Sequence, residues 1–213
     1  MDASSSDMTL RNDHSGLHPC WSCKGPVGES DLFCETCQAV QPPGHIDHFA
    51  RLGLHKNYEL DVNALESTYF ELQRHLHPDR FANKTPQEKS LSQQQAVSLN
   101  EAFEVLKDPL LRADYLLQVS NVDGISHDHT VNDPMLLMEA METREALMEA
   151  ETVDVVNKLS DKARRDVRDC VKLIAAAFGE QNLDEARRLA LRLKYLTKLL
   201  EETRQHKARL VMR

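Results

Sequence analysis

The chain has 213 residues, a formal net charge of −8, 5% aromatic residues and only seven glycines. The acidic balance argues against nucleic acid as the main partner. Scarce glycine argues against sheets with many tight turns, and no apolar run approaches the roughly 20 residues that span a bilayer. This is the profile of an all-α protein with no membrane partner. In the first 17 residues Asp2, Asp7 and Asp13 stand against Arg11 alone. A secretory leader needs a basic start and an apolar centre, and a mitochondrial transit segment is rich in arginine and poor in acids. The expectation is a disordered tail over residues 1–17 and a cytoplasmic protein, with the mitochondrial matrix disfavoured.

Residues 18–42 hold Cys20-Trp-Ser-Cys23 and Cys34-Glu-Thr-Cys37, two CxxC turns ten residues apart. Each turn points two thiolates at one place, and two turns complete a tetrahedral cage. Gly25, Pro26 and Gly28 between them suit a tight hairpin. The metal read from this cage is one zinc ion on Cys20, Cys23, Cys34 and Cys37; iron fits the same four thiolates. So short a segment builds no core of its own, so the metal must supply its folding energy. Disulfides would need an oxidising compartment. A redox CxxC would need a βαβ context, and a nucleic-acid ribbon would need basic flanks where there is Lys24 against Glu29, Asp31 and Glu35. Gln41-Pro42-Pro43-Gly44 reads as a linker.

A short helix capped by Asp47 and stopped by Gly53 comes next. From Asp61 the apolar positions Leu65, Tyr69, Leu72 and Leu76 step by 4, 3 and 4, the stripe of an amphipathic helix. Pro78 stops it, and a loop over Asp79–Lys84 follows. Thr85-Pro86-Gln87-Glu88 is a capping box with proline at the first helical position. The helix it opens carries Ala96, Leu99, Phe103 and Leu106 on one face, and Asp108-Pro109 restarts the chain into a helix with Leu111, Tyr115 and Leu116. His77-Pro78-Asp79 therefore sits at an exposed bend between two helices. His75, His77 and Asp79 alternate, but alternation gathers ligands on a strand, not on a helix.

Two antiparallel helices joined at His77-Pro78-Asp79, with Leu99-Asn100-Glu101-Ala102-Phe103 and Asp108-Pro109 beyond, resemble the J-domain of DnaJ-type co-chaperones over residues 45–119. The resemblance implies docking on a DnaK-type heat-shock chaperone and stimulation of its ATPase. The implied contact is His77, Pro78 and Asp79, with Arg74 and Arg80 adding positive charge beside it. An exposed aspartate accepts charge-assisted hydrogen bonds, and flanking cations steer an acidic partner.

Val119–Val131 reads as a linker. Asn132-Asp133-Pro134 then opens the first of three helices over residues 132–213. The second runs from Val153 to Phe178, ended by Gly179, with Val156, Leu159, Ala163, Val167, Cys170, Val171 and Ile174 inward. The third begins at Asn182 and carries Ala186, Leu189, Leu193, Leu196 and Leu200. One stripe each makes a three-helix bundle; Cys170 is a small core residue.

Asp133-Pro134-x-x-Leu137-Met138-Glu139-x-Met141-Glu142-x-Arg144-Glu145 is similar to the opening of the client domain of HscB/Jac-type co-chaperones. With the J-domain, that resemblance covers about residues 45–205, and some members also carry an N-terminal paired-CxxC module. It implies a chain that binds an IscU-type iron–sulfur scaffold protein and delivers it to a DnaK/HscA-type chaperone. The implied scaffold face is Leu137, Met138, Met141, Glu142, Glu145 and Glu149, with Tyr195 on the last helix. Methionines suit such adaptable surfaces. The expectation is a co-chaperone and not an enzyme: there is no phosphate loop, nucleophile elbow or buried carboxylate pair. A general J-domain co-chaperone with another client is the alternative, and homodimer formation is left open.

Overall fold

The structure is a computed structural model and describes residues 16–122, 124–125 and 134–212. The tail expected over 1–17 lies outside the described residues as far as residue 15, and its last residue, Leu17, is not tail but the start of a strand paired to Gly28. Asn132 and Asp133, read above as a helix cap, also lie outside the described residues, as do residues 123 and 126–131 of the expected linker, whose first residue, Val119, is still helical. Among the described residues are seven α-helices, one 3-10 turn and a two-stranded ribbon, the all-α architecture that the apolar periodicity predicts. The chain divides into two compact units. The first holds the residues up to His55 together with Glu66–Phe103, and the second holds Lys56–Leu65 together with Glu104–Arg213.

In the first unit, β1 (Leu17–Pro19) pairs antiparallel with β2 (Pro26–Gly28), placing His18 opposite Val27. Chain 41–44 is not a free linker. Gln41 is buried; its backbone N–H donates to the Leu32 carbonyl at 2.9 Å, and its carbonyl accepts from Gln95 Nε2 at 2.9 Å. A proline-glycine run breaks regular structure, but a glutamine beside it still seeks partners once it is buried. The carboxylate of Asp47 caps α1 (His48–Arg51), accepting from the Ala50 N–H at 2.9 Å. Gly53 then turns the chain with φ 67°, a left-handed conformation that costs glycine little.

Helices α2 (Val62–Leu76) and α3 (Pro86–Lys107) pair through aromatic and amide contacts. The Tyr69 ring stacks on Phe103 with centroids 3.9 Å apart and 11° between planes. The Tyr69 hydroxyl donates to Asn100 Oδ1 at 2.9 Å, and Gln73 Nε2 reaches both Tyr69 and Asn100. Later positions on α2 meet earlier positions on α3, so the two run antiparallel. Between them, the expected loop over Asp79–Lys84 begins as a 3-10 turn, Pro78–Phe81, with Phe81 buried as its anchor. The proline starts this turn without losing a hydrogen bond, because its missing N–H would be unpaired there. The capping box then closes: the Thr85 N–H donates to Glu88 Oε2 at 3.0 Å, and the Glu88 N–H donates to Thr85 Oγ1 at 3.2 Å.

In the second unit, Asp108 caps α4 (Pro109–Val119), accepting from the N–H groups of Leu110 and Leu111 at 2.7 and 2.9 Å. Arg112, an α4 residue, is buried. It donates to the Leu106 carbonyl at 3.0 Å and places its guanidinium 4.9 Å from the centre of the Tyr58 ring. Tyr58 stacks on Phe178 at 5.4 Å. Its hydroxyl donates to the Pro109 carbonyl at 3.1 Å, and burial pushes that hydroxyl up to about 12. The bundle comprises α5 (Pro134–Met148), α6 (Val153–Gly179) and α7 (Leu183–Val211). Cys170 is a core residue as predicted, its thiol donating to the Leu189 carbonyl at 3.2 Å.

Three details differ from the pattern. Gly179 stays inside α6, and the left-handed residue that turns the chain is Gln181, φ 57°. Leu111 is exposed, and Arg112, Ala113, Leu116 and Leu117 form the buried side of α4. On α7 the core passes to Leu199 and Thr203 while Leu200 is half-buried, because a straight helix drifts away from a strict half-heptad stripe.

Removing the hydroxyl of the capping box, Thr85→Ala, is expected to lower stability by about 1 kcal/mol in urea unfolding. An unchanged midpoint would mean that water replaces the cap without loss.

Candidate functional site

Three places on the described residues gather chemistry. The first is the cysteine module. Its two CxxC turns repeat one conformation. Cys20 N–H donates to the Gly25 carbonyl and Lys24 N–H to the Cys20 carbonyl; Cys34 N–H donates to the Ala39 carbonyl and Gln38 N–H to the Cys34 carbonyl. Lys24 and Gln38, each one past the second cysteine of its turn, have φ 65° and 60°. Left-handed residues at matched positions curl each turn so that both thiols face inward.

The four sulfurs lie within 4.8 Å of one another. Cys20 and Cys37 are 3.7 Å apart, Cys23 and Cys34 3.6 Å. Four thiolates at the corners of a tetrahedron with metal–sulfur bonds of about 2.3 Å stand about 3.8 Å apart, so the cage has the size of a four-coordinate metal site. Sulfur acceptors are already served: the Ser22 and Gly25 N–H groups donate to Cys20 and Cys23 at 3.4 Å, and Gln41 Nε2 donates to Cys20 at 3.3 Å. Burial pushes the Cys20 thiol up, but the N–H groups of Cys23 and Ser22 and the Gln41 amide outweigh it and hold it down at about 6. The Cys37 and Thr36 N–H groups lower Cys34 in the same way. At Cys23 the Gly25 N–H also lowers the thiol, but the neighbouring thiols and burial outweigh it and push it up to about 12. Thiolates are the ligand form, and a cation among the four sulfurs is what would let all of them take it together.

The second place is the corner between α2 and α3. His77, ahead of the proline, takes the extended conformation that a following ring enforces, φ −56° and ψ 132°. Its Nδ1 accepts from the Asp79 N–H at 3.3 Å. The Asp79 carboxylate approaches His77 at 3.6 Å but is 91% exposed. Arg74, Pro78 and Arg80 are exposed as well. The sequence-predicted chaperone contacts are thus all exposed, while Phe81 at the end of the same turn is buried.

The third place is the outer side of α5. Leu136 and Leu147 turn inward, leaving Leu137, Met138 and Met141 outward, the last two 56% and 64% exposed. Glu142, Glu145 and Glu149 are exposed along the same helix and the residue after it. Neither methionine turns into the bundle. Tyr195 is half-buried on α7. It lines a cleft with Leu136, Ala140 and Thr143 of α5, and Glu142, Glu145 and Glu149 are not part of that lining.

Two bidentate ion pairs flank that cleft, and sequence reading missed both. Arg192 holds Glu139 at 2.6 and 3.0 Å, and Arg144 holds Glu202 at 2.9 and 3.2 Å. The Arg192 guanidinium keeps the Glu139 carboxyl below the usual glutamate range. These pairs fasten α5 to α7. Their partners lie more than fifty residues apart, and no periodicity links them; only the excess of charge on otherwise apolar-facing turns hints at them.

Comparison with known proteins bears on the same segments. Residues 47–115 match the family model described as the DnaJ domain, and residues 132–204 match that of the HSCB C-terminal oligomerisation domain. A protein named iron–sulfur cluster co-chaperone protein HscB homolog, from Arabidopsis thaliana, is 34% identical over 186 residues, 86% of this chain and 72% of that protein. The crystal structure of the human co-chaperone protein HscB superposes with a TM-score of 0.84 at 28% identity, covering 90% of this chain and 100% of that one. The chaperone HscB from Vibrio cholerae gives 0.69 at 30% identity, covering 78% of this chain and 99% of that one.

The cage makes a direct demand. Elemental analysis of the purified protein is expected to find one metal ion per chain, lost in Cys34→Ser. A chain without metal would show that the thiols sit together without a ligand's purpose.

Proposed function

Because the chain belongs to the HscB family of iron–sulfur cluster co-chaperones, we propose that it carries an IscU-type scaffold protein to a DnaK/HscA-type chaperone and stimulates that chaperone's ATPase. The observation that carries this reading is the pairing, on one chain, of an exposed His77-Pro78-Asp79 corner with an outward Leu137, Met138 and Met141 face edged by glutamates.

At the corner, Asp79 offers a carboxylate that faces solvent, and a chaperone arginine can take it in a charge-assisted bond. Arg74 and Arg80 raise the encounter rate with an acidic chaperone surface. Nothing at the corner performs hydrolysis; the ATP chemistry belongs to the partner. On α5, the three apolar side chains supply area to bury against the scaffold protein, and the unbranched methionines adapt to its shape. Glu142, Glu145 and Glu149 select a basic rim on that partner, and Tyr195 adds an aromatic edge beside the cleft. Joining both faces in one polypeptide makes the chaperone's capture of the scaffold effectively intramolecular, which raises local concentration without new contacts.

In the cysteine cage we propose zinc, held by Cys20, Cys23, Cys34 and Cys37. Zinc would supply folding energy there and no redox chemistry, since four thiolates leave no open position.

Asp79→Asn is expected to leave the fold intact and abolish stimulation of the chaperone ATPase; retained stimulation would remove the corner from the mechanism. Combined alanines at Leu137, Met138 and Met141 are expected to weaken scaffold binding about a hundredfold in calorimetry while basal ATPase stimulation persists. Unchanged affinity would move the client to another face.

A further inference from the structure

The cysteine cage does not stand apart from the helical hairpin. Gln41 is 1% exposed and Gln95, on α3, is 2% exposed. The Gln41 amide donates to the Cys20 sulfur at 3.3 Å and to the Ala39 carbonyl at 2.7 Å. The Gln41 carbonyl accepts from Gln95 Nε2 at 2.9 Å. One residue thus touches a metal-ligand sulfur with its side chain and helix α3 with its backbone. A second pin lies just beyond it. Gly44 packs so close to Glu29 that an added Cβ would meet the Glu29 carbonyl oxygen at 2.6 Å, and Arg51 of α1 donates to the Gly44 carbonyl at 2.8 Å.

Helix α3 also lies across a hollow from the corner proposed to face the chaperone. Lys89, Ser92 and Gln93 line a hollow with Pro78, Phe81 and Ala82. Gln95 lies within one turn of Ser92 on the same helix.

We infer that metal in the four-cysteine module braces helix α3 through the Cys20–Gln41–Gln95 hydrogen-bond relay, making the stability of the chaperone-docking corner depend on metal occupancy. A metal-bound thiolate is a charged acceptor and holds the Gln41 amide more strongly than a neutral thiol does. Without metal the module has too little core to stay folded. The Gln41–Cys20 and Gln95–Gln41 bonds are then lost, and with them the tie from the module to α3. A ligand that binds only the folded form stabilises whatever unfolds together with its site. The module thereby gains a role beyond holding itself together: it conditions α3, and with α3 the support of Pro78 and Phe81. The inference rests on the four-thiolate reading of the cage but not on the identity of the client.

The test is hydrogen–deuterium exchange on the full-length protein, kept reduced, with metal content measured on each sample. Stripping metal with a chelator is expected to speed exchange in the Lys89–Leu99 stretch of α3 by about tenfold. Helix α7 should stay unchanged, and added zinc chloride should restore protection. Metal loss with α3 protection intact, or an equal rise throughout α7, overturns the inference. In Gln95→Leu, metal should still bind, α3 should already exchange fast, and chelation should add little; the full wild-type response in that variant overturns the relay. Should the variant fail to fold, the wild-type chelation arm decides alone. A protein that never holds metal removes the premise and the inference with it.

Discussion

A proline placed directly after the last turn of α2 governs the N-terminal half of this molecule. The ring forbids helical conformation at His77, so α2 stops there. It also suits the first position of a new turn, so the chain re-forms at once as the 3-10 turn Pro78–Phe81. Phe81 drops into the interior and fixes the turn from below. His77 and Asp79 are left outside, tied to each other through the Asp79 N–H and His77 Nδ1. A flexible loop would present the same side chains at a higher entropic cost of binding. Here the cost is lowered in advance by covalent geometry and one buried aromatic.

The bundle solves a different problem, which is to keep apolar side chains in water without collapsing them inward. Helix α5 does this by dividing its residues. Leu136 and Leu147 anchor it, the Glu139–Arg192 and Arg144–Glu202 pairs fasten it to α7, and the methionines are left outside. Bidentate guanidinium–carboxylate geometry sets orientation as well as attraction. A helix held by such pairs has a defined outer face even though its outer residues are apolar. The glutamates among them keep the patch soluble and give it a sign.

Much of this was legible in the residues, for physical reasons that differ from place to place. The CxxC spacing encodes the cage because a tight turn leaves thiols few directions to point. The capping box at Thr85 and Glu88 formed as read, since its partners are three residues apart. The stripe on α2 located its buried side, with Leu65 and Leu76 inside. Non-local pairings were not legible. Nothing in Gln41-Pro42-Pro43-Gly44 announces that its first residue will bond to Gln95, so a segment read as a linker proved to be an attachment. Nothing in the sequence announces that Arg112 will be buried over Tyr58. On α5, composition alone does not say which way the methionines face; the burial of Leu136 and Leu147 decides it.

The central claim is that one chain delivers a client and triggers the chaperone that receives it. Single-turnover ATP hydrolysis by a DnaK-type chaperone tests this most directly, measured with the chain alone, with an IscU-type scaffold protein alone, and with both together. The account predicts that the two together accelerate hydrolysis well beyond the product of their separate effects. Independent, merely multiplying effects would contradict it.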